Sequence, residues 1–255
     1  MKKSSFVLVS LFPLFLLAQE DSIAKGVYSW KDPLKQSSKT ISTVTLFQGS
    51  TNDMEWLQMS ANSIAASRKK ITVSIPNNEE QLLIIKSGNL TIGRDSVYSL
   101  GANSVALFMP GATYVLANTG NEPSSYYLLK YRSKNSIDIE RANGAGGSLV
   151  KDWSQIEFKP HDKGGRRDFF ERATAMCKRF EMHVTTLKRG LKSHDPHVHR
   201  AAEIIIVIDG STEMLIGDKL YKGEKGSIYY LPSKVLHGIQ NKGVTTCSYF
   251  AFQFE

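Results

Sequence analysis

The sequence predicts an all-β chain made of two tandem small β-barrels, and three observations predict it. Beyond residue 19 the apolar segments are short and are punctuated by clusters of Gly, Asn, Pro and Asp, as in KKITVSI, SVALFMP, SSYYLLKYR and GSIYYLP. Long apolar periodicity of the helical kind is absent. The chain also repeats itself weakly at about 120 residues: QLLIIKSGNLTIG…SVALFMPGATYVLANTG (81–120) is echoed by EIIIVIDGSTEMLIG…GSIYYLPSKVLHGIQNKG (203–243). Each copy has an apolar strand, a glycine turn, a strand ending in Ile-Gly, a strand closing on proline and a strand ending at Asn and Gly.

Taken in order, residues 1–18 read as a signal peptide: Lys2 and Lys3 precede an apolar stretch at 6–17, and Ala18 offers a small residue for cleavage. The stretch is too short for a comfortable membrane span. The expectation is an extracytoplasmic protein, periplasmic or secreted, with no stable membrane insertion after the signal is removed; a buried N-terminal helix is the other reading. Residues 19–134 form the expected first barrel, with a turn or two of helix expected at 52–66 (NDMEWLQMSANSIAA). The polar, glycine-rich segment 135–150 reads as a linker, and 151–255 as the second barrel.

Composition narrows the function classes. A hydrophobic share of 41% and a charged share of 22% describe an ordinary globular chain. The net charge of +8 is dispersed, with small clusters at Arg68-Lys69-Lys70 and Arg166-Arg167 and no basic stripe, so nucleic acid is not an expected partner. Attraction of anionic small molecules is a natural consequence. Cys177 and Cys247 would form one disulfide or remain two buried thiols.

All six histidines follow residue 160. His197 and His199 are two apart, so on a strand they share a face, and Glu203 keeps the parity. With His237 they make a mixed nitrogen and oxygen set suited to one divalent transition metal: Mn, Fe, Ni, Co or Zn.

The second half resembles the cupin superfamily of jelly-roll-like β-barrels. Its first motif runs Gly190, His197-Val198-His199, Glu203, Gly210, with an initial spacer one residue longer than usual; its second runs Gly226, Pro232-Ser233-Lys234, His237, Asn241, with Lys234 in place of the usual glycine. The resemblance implies that His197, His199, Glu203 and His237 converge on one metal inside the barrel. In the first half the turns match but the ligands do not: Gln81 stands where Glu203 does, Tyr114 where His237 does, and Asn118 matches Asn241. The expectation is a two-barrel chain with one metal site, its first barrel structural or binding a ligand without metal.

Around that site, parity with Glu203 predicts an apolar wall at Ile205 and Val207. In FEMHVTTL, either His183 or the set Phe180, Met182 and Val184 faces inward. His194 is a further ligand or proton shuttle, or else a solvated loop residue; Arg166 is a substrate clamp or a surface pair; one of Tyr229 and Tyr230 is expected at the pocket, and Asn241 beside it. The function expected is a metal-dependent enzyme acting on a small polar or anionic metabolite, as a dioxygenase, decarboxylase, isomerase or lyase, or hydrolase. A non-catalytic binding protein is the alternative, a storage-like barrel a third reading, and a homodimer a further expectation.

Overall fold

The computed structural model describes residues 22–33, 40–93 and 96–255, so the expected signal peptide lies outside the described residues. No helix among the described residues is long and apolar enough to cross a membrane. The first half contributes β1 (Gly26–Ser29), β2 (Ile41–Gly49), β3 (Met54–Ile64), β4 (Ile71–Ser74), β5 (Glu80–Ser87), β6 (Leu90–Gly93), β7 (Val97–Leu100), β8 (Val105–Phe108), β9 (Thr113–Ala117) and β10 (Ser124–Ser133). A short helix α1 (Ile139–Gly144) follows. The second half contributes β11 (Leu149–Lys151), β12 (Lys159–His161), β13 (Gly164–Arg172), β14 (Phe180–Leu187), β15 (Ala202–Asp209), β16 (Ser211–Ile216), β17 (Lys219–Glu224), β18 (Ser227–Leu231), β19 (His237–Asn241) and β20 (Cys247–Phe254).

Four sheets stack as layers around three cores. A four-stranded sheet (β4-β9-β6-β7) covers one face of a six-stranded sheet (β11-β8-β5-β10-β3-β2), and Leu83, Ile85, Leu116 and Tyr126 fill the first barrel between them. A three-stranded sheet (β17-β16-β19) covers a seven-stranded sheet (β1-β18-β15-β20-β14-β13-β12), and Ile205, Val207, Met214 and Tyr249 fill the second. The two large sheets meet over the third core, where Met59, Leu82, Leu129 and Phe47 face Ile204, Phe250, Phe252 and Tyr230. The inner strands are therefore covered on both faces. That is why β5 and β15 read as unbroken apolar runs rather than alternating ones.

The halves exchange edge strands. β1 pairs with β18 of the second sheet, and β11 pairs with β8 of the first. Segment 135–150, read as a linker, holds α1, capped by Asp138 Oδ1 accepting from Arg141 N at 2.8 Å, and the start of β11. The expected helix at 52–66 is instead β3, paired with β2 on one side and β10 on the other along its length. Its helix-compatible composition is overridden by pairing on both edges and by burial from Met59 to Ile64. Cys177 lies in the shared core and Cys247 in the second barrel's core; both thiols are free and buried, and they form no disulfide.

Candidate metal centre

The expected strand placement of His197 and His199 needs correction, because β15 begins only at Ala202. The pair lies in the extended segment before it. His197 is fixed to β19 by reciprocal backbone bonds with His237, both 3.0 Å. Val198 points to solvent, so the two rings still share a side. Lys234 N donates to His199 O at 2.8 Å and ties the second motif to the first.

The three imidazoles converge, with one nitrogen of each within 4.8 Å of the others. Two rings have their tautomer set by the backbone. His199 Nδ1 lies 2.8 Å from Ala201 O and His237 Nδ1 2.8 Å from Val235 O. A carbonyl can only accept, so each Nδ1 carries the proton and each Nε2 presents a lone pair. Both Nε2 atoms lie 3.2 Å from Glu203 Oε2. His237 Nε2 is buried and has no aligned hydrogen-bond partner, because its approach to Glu203 is close but off-axis.

Electrostatics sharpen the picture. Glu203 is buried, which alone would raise its pKa, yet the His199 and His237 contacts hold it at about 2. The same carboxylate raises His199. Burial lowers His197, with His194, His237 and His199 adding repulsion. A buried carboxylate oxygen thus faces two imidazole lone pairs, of which that of His237 has no hydrogen-bond donor, and a positive centre between them, a proton or a cation, would stabilise the group. Adjacent ligands at about 2.1 Å from a common ion lie roughly 3.0–3.4 Å apart, which the 3.2 Å contacts match. The three imidazoles, with Glu203 Oε2 beside two of them, therefore form a cluster that could hold a divalent metal.

His197, Glu203 and His237 open onto a cavity of about 340 Å³. Ile205, Met214, Ile239 and Ala251 form its apolar wall, as parity predicts at Ile205, while Val207 lies in the core. His183 faces the cavity, and Phe180, Met182 and Val184 face the shared core. His183 Nδ1 lies 3.1 Å from Glu181 Oε1. That bond, with Arg166 and Arg179 alongside, holds the Glu181 carboxyl at about 2. Arg166 lines the cavity, but its Nη2 donates to Glu181 at 2.7 Å and its Nε to Asp168. His194 stands exposed at the mouth, edge-on to His197 with ring centroids 4.1 Å apart.

Two expectations fail. Tyr229 packs in the second barrel's core, its hydroxyl 2.9 Å from Thr212 Oγ1, and does not line the cavity. Tyr230 faces the shared core. Both faces of β18 are buried, so neither position is free to reach a mouth. Asn241 ends β19 and braces the turn that follows, its amide donating to Leu187 O (2.9 Å) and Thr245 O (2.8 Å). Sequence reasoning missed Gln253, Glu181, Tyr249 and His161, which also line the cavity. Gln253 Nε2 approaches His199 Nε2 at 3.3 Å, and its Oε1 accepts from Arg179. Glu203, Gln253 and Glu181 stand side by side across β15, β20 and β14, a row that only strand order reveals.

A double-layered β architecture with a histidine-lined mouth defines a two-barrel protein that carries, among the described residues, a single candidate metal centre. The profile of the Cupin domain family (Cupin_2) matches residues 183–252, which span most of the second barrel. Among solved structures, the chain is similar to AerE from Microcystis aeruginosa, with 18% identity, a TM-score of 0.65 and coverage of 89% of this chain and 98% of that one. It is similar to Ylba from E. coli, with 17% identity, a TM-score of 0.67 and coverage of 94% and 96%. Oxalate decarboxylase OxdC of Bacillus subtilis shares 12% identity, a TM-score of 0.65 and coverage of 98% and 85%. No curated protein sequence matches. Residues 183–252 thus match the cupin domain family, and the two-barrel fold is shared with these solved structures.

Proposed function

We propose that this protein is a metal-dependent enzyme acting on a small polar or anionic metabolite in the mouth of its second barrel. The observation that carries the reading is the buried meeting of Glu203 Oε2 with two imidazole lone pairs at 3.2 Å, opening onto the cavity. His197, His199, Glu203 and His237 would hold the ion. A bound ion of this kind acts as a Lewis acid and lowers the pKa of its water. The protein supplies the rest. Ile205, Met214 and Ile239 exclude water from one side of the cavity. On the other, Glu181 accepts the Nδ1 proton of His183, which leaves His183 Nε2 as a base able to take a proton from a bound substrate. Arg166, already shared between Asp168 and Glu181, stiffens that carboxylate and adds positive charge near the mouth.

The reaction class stays at dioxygenase, decarboxylase, isomerase or lyase, or hydrolase. Because oxalate decarboxylase has the same fold, oxalate and other small carboxylic acids are the first compounds to test. Elemental analysis of protein from its native compartment is expected to find one transition-metal ion per chain, and His237→Ala protein to have lost it. Metal content unchanged by that substitution would end the reading. We place the protein outside the cytoplasm on the strength of Lys2, Lys3 and the apolar stretch 6–17. N-terminal sequencing of native protein checks this, with a start near residue 19 as the expected result.

A further inference from the structure

The ligand loop of the second barrel is held by a residue of the first. Arg200 sits between His199 and Ala201, and its guanidinium forms two parallel bonds to Asp53: Nη1 to Oδ2 at 2.7 Å and Nη2 to Oδ1 at 2.6 Å. Asp53 lies in the turn joining β2 to β3, 147 residues earlier in the chain. Exposed ion pairs contribute little, and the Arg200 side chain is 55% exposed. This pair differs in its other half, for Asp53 is buried at 8% exposure and its turn is braced by hydrogen bonds. Thr51 Oγ1 accepts from Asp53 N (3.3 Å) and Met54 N (3.0 Å). Lys134 N donates to Asp53 O at 2.8 Å, and Lys134 Nζ to Thr51 O at 2.6 Å. A two-pronged bond to so fixed an acid sets direction as well as distance.

The other side of Arg200 is the metal site. The carbonyl that orients the His199 ring belongs to Ala201, the next residue, and Arg200's backbone joins the ring to its acceptor. We propose that Asp53 of the first barrel is a positioning residue for the second barrel's metal centre: by pinning Arg200 it fixes the 199–201 turn and aims His199 Nε2 at the ion. The barrel without ligands would thus tune the affinity of the barrel that has them. The inference rests on the metal reading above.

The test is Co²⁺ titration of the full chain, read by calorimetry and by the visible absorption of bound Co²⁺, alongside thermal unfolding of each metal-free protein. Asp53→Asn and Arg200→Gln are each expected to weaken Co²⁺ binding by about tenfold, within the range for groups that orient a metal-ligating histidine, and to shift the absorption bands. The double variant is expected to be no weaker than either single one. Arg200→Lys keeps the charge and loses the fork, so it too should weaken binding. A wild-type protein that binds no Co²⁺, or a His237→Ala protein that binds it equally well, overturns the metal reading and this proposal together. If His237→Ala abolishes binding while Asp53→Asn lowers only the unfolding temperature and leaves affinity and spectrum unchanged, the proposal falls alone and the pair is an inter-barrel clamp.

Discussion

Where the second barrel carries Glu203 and His237, the first carries Gln81 and Tyr114, and the surroundings have changed with them. Gln81 pairs with Phe108 across β5 and β8 as Glu203 pairs with Leu231 across β15 and β18. Tyr114 stacks on Phe108 at 4.0 Å with the planes 1° apart, and its hydroxyl donates to Gln81 Oε1 at 3.4 Å. Two rings thus fill the first barrel where the second keeps an open mouth. The turns, by contrast, have hardly changed. Asn118 donates to Ile64 O and Glu122 O and accepts from Gly120 N, just as Asn241 donates to Leu187 O and Thr245 O and accepts from Gly243 N. Gly88 and Gly210 take φ of 75° and 78°, and at each a Cβ would stand under 3.0 Å from the neighbouring strand's backbone. The turns and apolar runs specify the barrel, and the residues at the mouth decide whether it can do chemistry.

The strongest way to break this comparison is to make the second mouth copy the first. Glu203→Gln with His237→Tyr is expected to weaken metal binding by more than about 100-fold, since even outer groups are worth 10–100-fold, while the far-ultraviolet circular dichroism stays that of a β protein. Loss of folding instead would mean that the ligands also hold the barrel together. The pH dependence of the metal-free protein sharpens the same point. Glu203, held at about 2 against an ordinary 4.5, adds stability above pH 4.5 that is lost as pH falls through about 2. His199, raised above 6.5, adds stability below pH 6.5 that is lost as pH rises through its raised value. The pair therefore supports the metal-free protein most between pH 4.5 and 6.5. Urea unfolding across pH should show Glu203→Gln losing that maximum.

Next in size are the matched turns. Asn118→Ala and Asn241→Ala each strand one buried carbonyl, Ile64 O and Leu187 O, and should each cost about 1–3 kcal/mol in urea unfolding, to a similar degree. A large loss in one barrel alone would show that the repeated turns do not carry equal weight. Smallest is the exchange at the second motif's turn. Lys234 holds φ of 61° where the first barrel has Gly111 at 73°. Lys234→Gly should stabilise by up to about 1 kcal/mol and Gly111→Lys should destabilise by a similar amount, both measurable as shifts in thermal midpoint.

Much of this was legible in the sequence, because the signals are local. Apolar runs bounded by glycine and asparagine gave the strands, and the spacing of His197, His199, Glu203 and His237 named the groups that the fold brings together. What was not legible depends on partners distant in the chain. Met54–Ile64 looks helix-compatible alone and is a strand because β2 and β10 flank it. Tyr229 and Tyr230 misled because β18 is covered on both faces, so neither face is a pocket face by default. Gln253 and Glu181 join the site through register with Glu203 across two strand boundaries.

The exchanged edge strands have a consequence for how the chain is made. A nascent first half would emerge with β1 lacking its partner, since β18 is synthesised some two hundred residues later. The second sheet in turn would reach the end of synthesis with the outer edge of β18 open until β1 closes over it. A protease cut between the halves would leave each fragment with a bare row of amides and carbonyls, a template for pairing with other chains. The exchange ties the completion of each large sheet to the other half of the chain.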